Sequence, residues 1–176
     1  MPIYEGKLSA KGLKLALVVG KFNSFIGDKL VDGALNAFEQ LEGNAEMVDI
    51  YKVPGSYEIP GVVRRLLDAG KHDAIVTLGV VIRGQTPHFE YVAGNTSKAL
   101  MEMASEGKIH VVFGIITADD VEQAIDRAGV KSGNKGYEAV FTAVEMVSLY
   151  RQMSHGRSSF CQDNREGALF SCFVCL

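Results

Sequence analysis

The chain has 176 residues, 47% of them hydrophobic and 22% charged, with a formal net charge of −3. That length holds one domain with a substantial core and is short for two. The mixed charges leave no basic stripe for nucleic acid, and no apolar run approaches the roughly 20 residues that span a bilayer. The opening Met1-Pro-Ile-Tyr-Glu-Gly-Lys7 lacks the charged-then-apolar layout of a secretory leader, so the expected location is the cytoplasm. Cys161, Cys172 and Cys175 all fall in the last sixteen residues, so no disulfide framework is expected in the body.

Apolar runs alternate with helical patterns along the chain, which is the βα signature of a parallel sheet. Lys14–Val19 reads as a first buried strand. A helix over Ile26–Leu41 follows, with Ile26, Leu30, Ala34, Ala37, Phe38 and Leu41 on one face. Glu46–Val53 is a second strand, stopped by Pro54-Gly55. The next helix starts near Glu58, carries Pro60 in its first turn and ends at Gly70. Ala74–Ile82 is apolar enough to be covered on both faces as a third strand. A helix over Phe89–Ser105, a fourth strand over Ile109–Ile116 and a cap at Thr117-Ala-Asp-Asp120 come next. That cap opens a short helix ended by Gly129, and a last helix runs over Lys135–Met153. These elements predict an α/β fold: a flavodoxin-like, three-layer α/β/α sandwich on a four-stranded parallel sheet, spanning residues 1–153.

Residues 154–176 do not continue the pattern and read as a flexible, functionally inert or appended tail. Cys172-Phe-Val-Cys175 is formally a CxxC, but a redox pair of that kind opens a helix after a strand. A lipidation box would need Cys in fourth place from the end, where Phe173 stands.

The familiar cofactor motifs are missing. The turn after the first strand, Gly20-Lys-Phe-Asn-Ser-Phe-Ile-Gly27, is neither GxGxxG nor a P-loop. His72, His88, His110 and His155 form no close pair in sequence, so no metal site is expected. No serine sits in a GxSxG elbow and the body has no cysteine, which removes acyl-enzyme chemistry.

What remains is a set of residues at the carboxyl ends of strands, where open α/β sheets bind ligands. Phe22 follows strand one, and Ser56, Tyr57 and Glu58 follow strand two. Arg83, Gln85, Thr86 and His88 follow strand three, with Pro87 stiffening the approach to His88. Phe113 lies near the end of strand four, and Arg127 on the short helix beyond it. The aromatics could sandwich a flat heterocycle, and Glu58 could accept hydrogen bonds from hydroxyls. Arg127 could grip a phosphate, and His88 could move protons near neutral pH. Each also has an ordinary reading: Phe22 and Phe113 as core, Glu58 as a helix-dipole partner, Arg127 as a solvated helix residue, Lys135 as a loop cation, and His88 as structural.

Six blocks narrow the choice. Phe22-Asn23, Val53-Pro-Gly-Ser-Tyr-Glu-Ile-Pro60, Gly79-Val-Val-Ile-Arg-Gly-Gln-Thr-Pro-His-Phe-Glu-Tyr91, Phe113-Gly-Ile-Ile-Thr117, Glu122-Gln-Ala-Ile-Asp-Arg-Ala-Gly129 and Gly133-Asn-Lys-Gly136 resemble, in order, the 6,7-dimethyl-8-ribityllumazine synthase family. The resemblance implies the penultimate step of riboflavin biosynthesis. In it, 5-amino-6-(D-ribitylamino)uracil condenses with 3,4-dihydroxy-2-butanone 4-phosphate, with no metal or organic cofactor.

By that resemblance Phe22 stacks on the pyrimidine, while Ser56, Tyr57, Val80, Val81 and Ile82 read its polar edges through their backbone. Glu58 binds ribityl hydroxyls, Gln85 and Thr86 help hold the phosphate, Arg127 is its main charge partner, and His88 transfers protons. Phe113 packs over the ring, with Lys135 close by. The resemblance also implies a site shared between subunits, with Phe113, Arg127 and Lys135 reaching across, in pentamers that can assemble as icosahedral shells of sixty subunits. The compact turn Gly129–Asn134 is similar to that of shell formers, and Ile3-Tyr4 to a strand that joins the neighbouring subunit's sheet. Gln85 stands where the family usually has a small residue. A container that has lost turnover, or a flavodoxin-like carrier, are the competing readings.

Overall fold

The computed structural model describes residues 1–107, 109–129 and 133–155. The expectations for the cysteine-bearing tail past 155 and for the tip of the Gly129–Asn134 turn lie outside the described residues. The elements are β1 (Leu15–Gly20), α1 (Ser24–Gln40), β2 (Val48–Val53), α2 (Ile59–Ala69), β3 (Ala74–Ile82), α3 (His88–Ser105), β4 (His110–Ala118), α4 (Val121–Asp126) and α5 (Lys135–His155). The four strands form one parallel sheet in the order β2-β1-β3-β4.

Strand periodicity sorts the core into two layers, because successive side chains point to opposite faces. Leu15, Leu17 and Val19 of β1 and Val76, Leu78 and Val80 of β3 face α1 and α5. The alternate residues Ala16, Val18, Ile75 and Val81 face α2 and α3, meeting Ile59, Val63, Leu67, Leu100 and Met103. Phe38, Leu17, Ile26, Leu30, Ile59 and Ile75 are among the largest fully buried side chains. Each such burial stabilises the fold by roughly 1.5–3 kcal/mol. The expected sandwich is therefore borne out, helices covering both faces of a parallel sheet.

Several boundaries shift for local reasons. The second strand begins at Val48, because Ala45–Met47 coil into a 3₁₀ turn whose start is capped by Asn44 Oδ1 accepting from the Glu46 N–H (3.0 Å). The fourth strand continues to Ala118, since Thr117 and Ala118 still pair with Val81 and Ile82. Only Asp120 of the expected cap acts as one, accepting from the Gln123 N–H at 2.8 Å. The short helix that follows stops at Asp126, ahead of Gly129, which has φ 101°. Met1–Ala10 carry no strand. The Lys7 N–H donates to Ser148 Oγ (2.9 Å) and Gln152 Nε2 to the Glu5 carbonyl (2.8 Å), so this segment lies along α5. Met1, Ile3 and Tyr4 stay exposed.

With β1 between β2 and β3, the chain leaves β1 toward one edge of the sheet and returns after β2 on the other side. The carboxyl ends of β1 and β3 thus flank the topological switch point, where such sheets open a crevice.

Candidate functional site

The first two turns at this end are tied together through their backbones. The Lys21 N–H donates to the Val53 carbonyl (2.8 Å) and the Phe22 N–H to the Pro54 carbonyl (3.1 Å). Asn23 follows in the left-handed region (φ 60°, ψ 41°), which Asn tolerates better than most residues. Its Nδ2 donates to the Val80 carbonyl (3.3 Å), linking the turn to β3. Phe22 is thereby held over the crevice, the residue 71% exposed.

After β2, Ser56–Glu58 form a 3₁₀ turn leading into α2. Ser56 is buried, and its carbonyl accepts from Thr96 Oγ1 (3.3 Å). It fits because position 79 is glycine: a Cβ there would lie 2.7 Å from Ser56 Oγ. Glu58 folds back so that Oε2 accepts from the Gly55 N–H (2.9 Å). Its other carboxylate oxygen has no hydrogen bond among the described residues. Tyr57 projects outward, exposed.

The third wall is the end of β3 and the start of α3. His88 is the first residue of α3, behind Pro87, and is exposed. Tyr91 and Val92, three and four residues on, share its helix face. Among the described residues no group hydrogen-bonds the His88 imidazole. Arg83, which the sequence places beside the chemistry, is instead committed to protein partners. Its Nε donates to Asp119 Oδ1 (2.8 Å) and its Nη1 to Glu90 Oε1, with the guanidinium 4.3 Å over the Phe89 ring. Hydrogen bonds from the guanidinium to Asp119 and then Glu90 hold its pKa above the ordinary arginine value.

These walls enclose a cavity of about 510 Å³ lined by Phe22, Ser56, Tyr57, Glu58, Val80, Val81, Ile82, Thr86 and His88. Gly55, Gly84, Phe89, Tyr91 and Val92 complete the lining. The last two could have been found by continuing helical spacing from His88. Phe22, Tyr57 and Tyr91 are 71%, 62% and 65% exposed around it, so three large aromatic side chains rim the opening. Among the described residues no lysine or arginine lines the cavity.

The remaining candidates lie elsewhere. Gln85 is exposed on the loop and does not line the cavity. Phe113 and Lys135 line a second cavity of about 470 Å³ with Met101, Ala104 and Glu138, beside β4 at the edge of the sheet. Phe113 is 43% exposed there, and Lys135 pairs with Glu138. Arg127 caps the end of α4, exposed, with Nη1 donating to the Gln123 carbonyl (3.0 Å). One chain thus presents an apolar slot with a carboxylate, a hydroxyl and an imidazole on one side. On another it offers a separate aromatic and two cations.

Residues 12–151 match the sequence model of the 6,7-dimethyl-8-ribityllumazine synthase family. Proteins of that name include one from Chlorobaculum tepidum, 49% identical over 149 residues, which is 85% of this chain and 96% of that protein. One from Pelodictyon phaeoclathratiforme is 48% identical with the same coverage. One from Clostridium kluyveri is 47% identical over 153 residues, 87% of this chain and 99% of the relative.

Proposed function

The chain belongs to the 6,7-dimethyl-8-ribityllumazine synthase family, and from that membership we propose how its own side chains divide the reaction. The enzyme condenses 5-amino-6-(D-ribitylamino)uracil with 3,4-dihydroxy-2-butanone 4-phosphate, releasing phosphate and water, in the biosynthesis of riboflavin. The reading of residues rests on one observation. A slot that gathers Phe22, the 56–58 turn, the end of β3 and His88 presents, among the described residues, no cation for a phosphate.

In this reading the pyrimidine lies against Phe22, its polar edges meeting the backbone of Ser56, Tyr57, Val80, Val81 and Ile82. The free oxygen of Glu58 accepts from ribityl hydroxyls. The phosphate sits at the amino end of α3, where unpaired N–H groups and the helix dipole favour an anion, with Thr86 beside it and Gln85 on the same loop. Arg127 and Lys135 come from a neighbouring copy and supply the missing positive charge, while the neighbour's Phe113 closes the ring pocket. The exposed rim of the first cavity and the exposed Phe113 and Met101 at the second support such a junction.

The amine of the uracil attacks the ketone of the butanone, and water leaves as an imine forms. Loss of a proton then drives out phosphate. The enol left behind tautomerises, making C4 a methyl and C3 a carbonyl, and the ribitylamino nitrogen closes the ring on that carbonyl, with loss of a further water. Each step moves a proton, the task His88 performs. Much of the acceleration comes from holding two reactants in one slot. No metal or organic cofactor takes part in this scheme. The shared site requires that copies of the chain meet, and the resemblance to the family implies pentamers and a shell of sixty copies. The segment around Ile3-Tyr4, exposed and outside any strand, is the natural candidate to join a neighbour's sheet. Among the described residues no helix is long and apolar enough to cross a membrane, and a cytoplasmic location suits the reaction.

Mixing both substrates with the protein and following lumazine absorbance tests the function. His88→Ala is expected to slow turnover by roughly tens to thousands of fold, and wild-type kcat in that variant would refute the role. Light scattering tests the assembly, and a monomer that retains full turnover would refute the shared site.

A further inference from the structure

Nothing among the described residues holds the His88 imidazole directly, so its aim is set by the backbone that carries it. That backbone is anchored at one point. Arg83 leaves β3 with its N–H donating to the Ala118 carbonyl (2.9 Å), the last residue of β4. Its side chain then crosses back over the 84–88 loop. Nε reaches Asp119, just beyond β4, and Nη1 reaches Glu90 in the first turn of α3, while the planar guanidinium lies 4.3 Å over the Phe89 ring. Phe89 and Glu90 are the two residues that immediately follow His88.

We propose that Arg83 is a positioning residue for the reaction: a clamp that fixes the first turn of α3 to the end of β4 and so holds His88 at the cavity. Only arginine suits the place. Its rigid fork can serve two carboxylates in different directions while its face covers an aromatic ring, whereas a lysine ammonium is a single point charge on a flexible stem. The two ion pairs are exposed, with Arg83 43% accessible, so their worth to global stability is small. Their effect is local, on a loop that no other side-chain hydrogen bond crosses among the described residues. The pyrimidine end of the slot is built by the turns after β1 and β2 and by the backbone of Val80–Ile82, which its ladder to Ile116–Ala118 fixes without the Arg83 side chain.

The proposal rests on the assignment of proton transfer to His88, and a mutant cycle keeps the two apart. Arg83→Met retains the stem and removes the fork. It is expected to lower kcat by roughly ten- to a hundredfold, the scale of a misplacement near 1 Å. The KM for the uracil substrate should stay within about twofold, since its binding groups are untouched. In a His88→Ala background the same substitution should change kcat by less than about twofold, because the group it aims is already gone.

Arg83→Met with wild-type kcat, beside a slowed His88→Ala, overturns the clamp alone. An equal loss in both backgrounds also overturns it, since the effect would not pass through the imidazole. A His88→Ala enzyme at wild-type rate overturns the assignment of His88 and this proposal with it. Scattering verifies that each variant assembles. Should Arg83→Met fail to fold, Glu90→Ala combined with Asp119→Ala removes the same two arms and is read in the same cycle.

Discussion

Asn134 offers a test in which a local rule and the tertiary structure disagree. It precedes α5, and its Oδ1 accepts from the Gly136 and Tyr137 N–H groups at 2.8 and 3.1 Å, an ordinary helix cap. By that rule Asn134→Asp is nearly neutral, since both residues cap equally well. The amide nitrogen, however, donates to the carbonyls of Lys29 in α1 and Ala128 past α4, each at 2.9 Å. The site is also tight: a Cβ at Gly33 would lie 2.3 Å from Asn134 Oδ1. Aspartate keeps the size and the cap but turns two hydrogen bonds into oxygen facing oxygen. Two lost bonds at about 1 kcal/mol each, plus an acceptor held against two carbonyls, give a destabilisation of roughly 2–4 kcal/mol. Urea unfolding at fixed protein concentration measures it, the concentration being held because assembly adds to apparent stability. The loss should shrink on acidification, when the introduced carboxyl regains a proton to donate. An Asn134→Asp protein within about 0.5 kcal/mol of wild type would refute the claim that the amide donors join α1, α4 and α5.

Gly136→Ala should destabilise by about 3 kcal/mol or more, although alanine favours an isolated helix by about 1 kcal/mol; its Cβ would lie 2.0 Å from the Leu30 carbonyl oxygen of α1, and thermal denaturation reads the sign. Burial pushes the His110 imidazole below its ordinary value of 6.5. The unfolded chain then takes up a proton as pH falls through 6.5 while the folded chain resists, so stability is lost below that pH; His110→Phe should flatten this part of the stability–pH curve in urea titrations. Phe22→Ala should weaken the uracil substrate by roughly 1–3 kcal/mol, the worth of a base stacked on an aromatic, seen as a raised KM with the phosphate substrate saturating. Arg127→Ala should raise the KM of the phosphate substrate, and an unchanged value would remove its charge role.

Much of the fold was legible because its signals are local. β3 is a nine-residue apolar run in which both parities are buried, so its limits at Ala74 and Ile82 could be read without knowing its neighbours. Pro60 near the start of α2 and Gly70 at φ 62° beyond its end mark that helix by backbone sterics alone. The boundaries that moved are those set by partners. Thr117 and Ala118 read as a helix cap but extend β4, because β3 offers them a ladder.

That Phe22, Glu58 and His88 line one cavity was legible for a similar reason: each lies within a few residues of a strand end, and strand ends define where this class of sheet opens a crevice. Their division was not. That Arg127 and Lys135 stand apart from the slot follows from strand order and from the face each helix turns outward, neither of which is written in any short stretch of chain. Arg83 makes the same point. Its position beside His88 reads as chemistry, yet Asp119, thirty-six residues away, and Glu90 claim its guanidinium once β3 and β4 lie side by side. Short-range sterics and periodicity are properties of the sequence. Which charges meet is decided by long-range packing, because an ion pair depends on distance in space rather than along the chain.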